Sequence, residues 1–168
     1  MTEEYGASVD GKLSPVEEVR RKLRRAERDL RLTEPSWKAT KEKDLAEHLK
    51  DTGEPFRDHL MKLIIERDMK NSDVYHGANI SKQHFSKIIS NRDYLPKKNT
   101  VCALAIALHL DLQETNALLE KAGYTLSKSS RFDKAVEYFL LHKMYNIVED
   151  NVCMDDNKLD YLGTQQIL

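Results

Sequence analysis

The sequence is short of the residues that carry covalent or metal chemistry. Two cysteines, Cys102 and Cys153, stand far apart. They exclude a disulfide scaffold and any C-x-x-C metal site, and they fit a reducing cytosol. Six glycines in 168 residues leave little room for a loop that cradles phosphate. The longest apolar run, Val101–Leu108, is far too short to span a bilayer. The N-terminus, MTEEYGASVDGK, lacks the basic-then-apolar pattern of a secretion signal. Neither charge sign dominates: 27 Lys and Arg face 28 Asp and Glu. A basic nucleic-acid coat and an acidic tail are therefore both excluded at whole-chain level. His48, His59, His76, His84, His109 and His142 show no H-E-x-x-H or H-x-H spacing. No nucleophile elbow is present, and Cys102 sits on an apolar helical face as a small core residue. Cys153, beside acidic residues, lacks the electropositive surroundings of a reactive thiolate. The aromatic residues are scattered, without the paired stacking pattern of single-strand binders. The expectation is a protein that is not an enzyme and has no cofactor and no metal.

What is present is helical periodicity. Apolar residues recur at three and four, and few β-branched residues alternate, so the chain reads as all-α. Apolar residues make up 40% and charged residues 33%, enough for one modest core but not for all of the chain. Charge is sorted along the sequence. Residues 1–55 carry net −1, residues 56–130 net +3 and residues 131–168 net −3. Within these, Arg20–Arg31 carries net +5 and Ser81–Lys98 net +4, and such stretches attract polyanions even in a neutral chain.

Residues 1–55 read as a polar, basic arm with one or two weak helices. Met1–Lys12 is expected to be disordered. Ser14-Pro15-Val16-Glu17 is a capping-box start. Val16, Val19, Leu23, Ala26 and Leu30 then form a seam spaced 3, 4, 3, 4, supported by Glu17–Arg21, Glu18–Lys22 and Glu27–Arg31. A seam this narrow does not hold a helix alone in water. It requires its own domain, a second copy or another protein. The arginine face (Arg20, Arg21, Arg24, Arg25, Arg28) offers auxiliary contacts to a polyanion or partner. Glu34-Pro35 stops this helix, and a second covers 36–50 with Trp37, Leu45, Ala46 and Leu49. Asp51–Pro55 reads as a linker.

Residues 56–124 read as five short helices. Phe56, Leu60, Leu63 and Ile64 mark the first, and Asn71–Gly77 the second. Ser81 caps the third, Lys82–Ser90, with Phe85, Ile88 and Ile89 inward. The fourth runs to Leu110, burying Val101, Leu104, Ala105 and Leu108. The fifth starts at the capping box Asp111–Glu114 and stops at Ala122-Gly123.

The stretch from Leu60 to Leu119 resembles the phage-repressor-like (Cro/C1, XRE-type) helix-turn-helix family. The motif reads Asp73-Val74-Tyr75-His76-Gly77-Ala78-Asn79-Ile80-Ser81, with Asn79 in place of the usual turn glycine. The recognition helix follows as Lys82–Ser90, and Asn91 replaces the glycine that usually ends it. Pro96 and Thr100 match the P-x-x-x-T entry to the next helix. The resemblance implies a five-helix lambda-repressor-like domain over 56–124. Residues 125–168 form a helical extension and tail, similar to one that follows such domains in a group of bacterial proteins of uncertain role. There Ser130 caps a helix with Phe132, Val136, Phe139 and Leu140, which Tyr145, Ile147 and Val148 are expected to continue. The extension either covers the core or forms a dimer or partner surface.

The resemblance further implies that the recognition helix enters the major groove of duplex DNA. By position, Lys82, Gln83, Ser86 and Lys87 face base edges. Asn71 would cap the first motif helix and reach a phosphate, and Arg92, Lys97 and Lys98 would neutralise backbone charge. The implied function is a cytoplasmic bacterial or phage transcriptional regulator that binds specific duplex DNA as a homodimer. The competing expectation is an accessory subunit of a toxin–antitoxin or phage-defence complex. Its helix-turn-helix domain, basic arm or C-terminal extension would then dock a protein or nucleoprotein.

Overall fold

The computed structural model describes residues 14–32 and 36–163, and every regular element among them is a helix. The expected disorder of Met1–Lys12, the Glu34-Pro35 stop and the contacts of the Trp37 side chain lie outside the described residues. The chain divides into two units at Asp51/Thr52.

The first unit holds α1 (Pro15–Leu32) and α2 (Ser36–His48). The capping box at the start of α1 is formed: Ser14 N–H donates to Glu17 Oε2 at 3.0 Å, and Glu17 N–H to Ser14 Oγ at 3.3 Å. These bonds hold the Glu17 carboxyl below its ordinary value. Along α1 every residue from Pro15 to Leu30 is exposed.

The second unit holds α3 (Phe56–Glu66), α4 (Asn71–Gly77), α5 (Lys82–Ser90), α6 (Lys98–Ala107), α7 (Leu112–Lys121), α8 (Arg131–Leu141) and α9 (Ile147–Asp156). α6 is its axis. It packs against α4, α7 and α9, while α3 packs against α5 and α7, and α8 against α7 and α9. Thr100 to Ala107 are all buried, so α6 has no solvent face. The burial of Cys102 pushes its thiol up to about 12, which makes it an inert core residue. One core joins residues from Phe56 to Leu162, including Val136, Phe139, Leu140, Ile147 and Met154 of α8 and α9.

Helix ends in this unit follow one device. After α3, α4, α6, α7, α8 and α9, one residue takes a left-handed backbone: Asp68, Asn79, His109, Gly123, Lys143 and Lys158. The apolar residue that follows donates its N–H five positions back, as in Met69→Ile64 and Ile80→Tyr75, and packs inward. This is the Schellman stop with its hydrophobic contact. Two expectations are corrected by it. The fourth helix of the domain ends at Ala107 rather than Leu110, because His109 turns left-handed. The helix from Ser130 does not continue through Tyr145 and Val148. It stops at Leu141, Lys143 turns at φ 55°, and α9 starts afresh under an Asn146 cap.

The last described residues are strapped down. Asn151 Nδ2 donates to Leu162 O at 3.0 Å, and Leu162 N–H donates to Asn151 Oδ1 at 2.7 Å. Asn79 and Asn99 donate to Leu162 O and Gly163 O. A Cβ on Gly163 would lie 2.4 Å from Ala78 O, so only glycine fits against the α4–α5 turn. Beside this strap, Asp150 is fully buried, with both carboxylate oxygens lacking a hydrogen-bond partner. Burial, assisted by Glu149, pushes its carboxyl up to about 7.

Candidate nucleic-acid interface

α5 is positioned from three sides. Ser81 accepts from His84 N–H at 3.1 Å and fixes the N-terminus. Phe85 and Ile88 are buried, Ile89 is partly buried, and Phe85 lies against Tyr75 at a ring separation of 5.8 Å. The C-terminus is held differently from the other helices of its unit. Asn91 is extended at φ −110°, not left-handed, which corrects the expected glycine-like stop. Instead Arg57 Nε of α3 donates to Ile89 O at 2.7 Å. A side-chain donor thus takes a carbonyl that a Schellman turn would have served.

With the inner face locked, the outer face is set by helical geometry. Lys82, Gln83, Ser86 and Lys87 are all exposed, as two neighbouring pairs one turn apart. Tyr94, in the turn after α5, braces this face. The Lys87 ammonium lies 4.3 Å from the centre of its ring, and the Tyr94 hydroxyl is 3.3 Å from His84 Nε2. Burial, then the nearby Lys87 charge, holds His84 below the ordinary histidine value. The shift favours the neutral ring, so Lys82 and Lys87 are the principal cations of α5. Neither Tyr94 nor His84 was signalled by the motif. The pairing joins side chains ten positions apart across a turn with no regular period.

The flanking residues are brought to this face unequally. Lys97 is exposed at the N-cap of α6. Arg92 is exposed and grips Asp58 Oδ2 through two nitrogens, at 2.9 and 3.1 Å. Lys98 points inward instead of serving as a free phosphate contact. Its ammonium is 2.5 Å from Asp133 Oδ2, a carboxylate only 2% exposed that also accepts from Ser127 N–H. Removing one partner from a buried pair is costly, so Lys98 is held by the fold. Asn71 is exposed but does not cap α4: the N-cap is Lys70, with no side-chain bond there. Asp73 and Asp93 are exposed near the same elements and reduce the local positive charge.

In the first unit, Arg20, Arg21, Arg24, Arg25 and Arg28 are exposed on α1. Arg21, Arg24, Arg25 and Arg28 line one open recess together with Glu17 and Asp29. Among the described residues no cluster of His, Cys, Asp or Glu could hold a metal ion, and no helix is long and apolar enough to cross a membrane. Compared with protein-family models, curated proteins and solved structures, the chain matches none.

Proposed function

We propose that residues 56–124 form a repressor-type helix-turn-helix domain whose α5 reads duplex DNA in the major groove, and that the protein regulates transcription as a dimer. The observation that carries this reading is the two-sided character of α5. Its inner face is fixed by Phe85 and Ile88, while Lys82, Gln83, Ser86 and Lys87 are presented together outward. The left-handed Asn79 and the Ser81 cap support it, since such a motif needs a sharp turn directly before a capped reading helix. Lys suits guanine O6 and N7, and Gln suits adenine N6 and N7. Lys97 and Arg92 supply phosphate contacts, with Arg92 exchanging Asp58 for the backbone.

The test is duplex binding at several salt concentrations, with random fragments and DNA from upstream of the gene. The triple variant K82A/Q83A/K87A is compared with wild type. The expected result is selective binding whose logarithm falls with log salt by about 0.9 per phosphate contact. Each good base contact is worth ~1–3 kcal/mol, so the variant loses at least about tenfold in preference for its best site. Absence of binding at low salt would sink the reading.

A second reading, an adaptor that docks protein, is favoured by exposed apolar side chains on the outer surfaces of α8 and α9: Tyr138, Leu141, Val148 and Val152. Under it, the triple variant would keep its protein partner.

A further inference from the structure

The apolar seam of α1 is laid open. Val16, Val19, Leu23 and Leu30 are each more than half exposed, and Ala26 is exposed between them. Their spacing fills the a and d positions of two heptads, with Val16, Leu23 and Leu30 at a and Val19 and Ala26 at d. Flanking this seam, Arg20 and Glu27 occupy the e positions, and Lys22 and Asp29 the g positions. Each flank therefore carries one cation near the N-terminus and one anion near the C-terminus.

We propose that α1 pairs antiparallel with α1 of a second copy of this chain, with Leu23 against the partner's Ala26 and Val19 against the partner's Leu30. The charge order selects both direction and register. In an antiparallel pair, e faces e and g faces g. This register sets Arg20 against the partner's Glu27 and Lys22 against the partner's Asp29. By symmetry each contact occurs twice, so all four are attractive. Sliding by one heptad, to bring Leu23 against the partner's Val19, would oppose Arg20 to Arg20 and Lys22 to Lys22. A parallel pair would match Lys22 with the partner's Glu27 but leave Arg20 facing Pro15. The antiparallel pair alone uses every flanking charge. It also leaves Arg21, Arg24, Arg25 and Arg28 of both copies on the outer surface, available to a polyanion. The inference supplies the dimer contact for the reading above and rests on that reading only for its use on DNA.

The experiment is sedimentation equilibrium of the full chain without DNA across micromolar concentrations, so its failure is separate from failure of DNA binding. Wild type is expected to dimerise reversibly, and Leu23→Asp to be monomeric. R20E and E27R should each weaken the dimer about tenfold, because each turns two attractive pairs repulsive. The double reversal R20E/E27R should restore it, since the same two positions face each other. Thermal melts of the second unit, followed by circular dichroism, should be unchanged in all four variants. A monomeric wild type would overturn the proposal. So would a dimer indifferent to Leu23→Asp, or a double reversal without rescue.

Discussion

α1 and α6 both carry regularly spaced apolar residues, and they occupy opposite environments. From Pro15 to Leu30, α1 is exposed throughout; from Thr100 to Ala107, α6 is buried throughout. The difference lies in the arc between the apolar positions. α1 fills it with Arg, Lys, Glu and Asp, whose long side chains cannot be enclosed unpaired. α6 fills it with Cys102, Ala103, Ile106 and Ala107, small or apolar enough for α4, α7 and α9 to close around it. A seam specifies that a helix wants a partner. The residues beside the seam decide whether one neighbour suffices or several surround it.

The comparison can be broken most severely by cutting the same residue type from both helices. Leu104→Ala should cost ~2–5 kcal/mol in urea unfolding, as large-to-small changes in closed cores do. Leu23→Ala should leave the unfolding of the second unit within about 0.5 kcal/mol of wild type. Equal losses from the two would mean that α1 shares the core.

Next in size is the pH response of Asp150. Its carboxyl is pushed up to about 7 from an ordinary 3.8, so the folded protein holds a proton that the unfolded chain has released. Its contribution is fully present below about pH 4, is lost as pH rises to about 7 and is constant beyond. The loss is of the order of 2–4 kcal/mol relative to Asp150→Asn, which should lack this slope. Parallel stability–pH curves for the two proteins would refute it.

Smaller effects test the helix ends. Ser81→Ala should destabilise by about 1 kcal/mol by removing the α5 cap. Lys143→Gly should stabilise by up to about 1 kcal/mol, because a side chain in the left-handed region is strained and glycine is not. Both are read from denaturant midpoints at constant slope.

The same helix ends show what was legible in the sequence. Starts were, because a cap bonds a residue three positions away: Ser14, Ser81, Asp111 and Ser130 all do so. Stops were legible only in part: Gly123 announced the end of α7, but His109 and Lys143 turn left-handed without a glycine to announce it. Their signal lay in the next residue, Leu110 or Met144, apolar and out of phase with the helix before it. Lys82, Gln83, Ser86 and Lys87 were picked out by the resemblance, and the helical period that turns Phe85 and Ile88 inward is consistent with their exposure. The inward turn of Lys98 was not legible, because Asp133 lies 35 positions away and only the packing of α8 brings it near. The bracing of α5 by Arg57 and Tyr94 was hidden for the same reason.

The strap at Leu162–Gly163 bears on the order in which the unit assembles. Its bond to Asn79 joins positions 83 apart, whereas most helix stops close within six. A contact of such long sequence separation demands a large loop closure, and it forms late. The α4–α5 turn can therefore take shape first and be clamped afterwards. Opening should run in reverse, with the strap lifting in local fluctuations that leave α6 intact. Amide exchange at Leu162 should then outpace exchange at Leu104, giving the unit a loose latch over a slow centre.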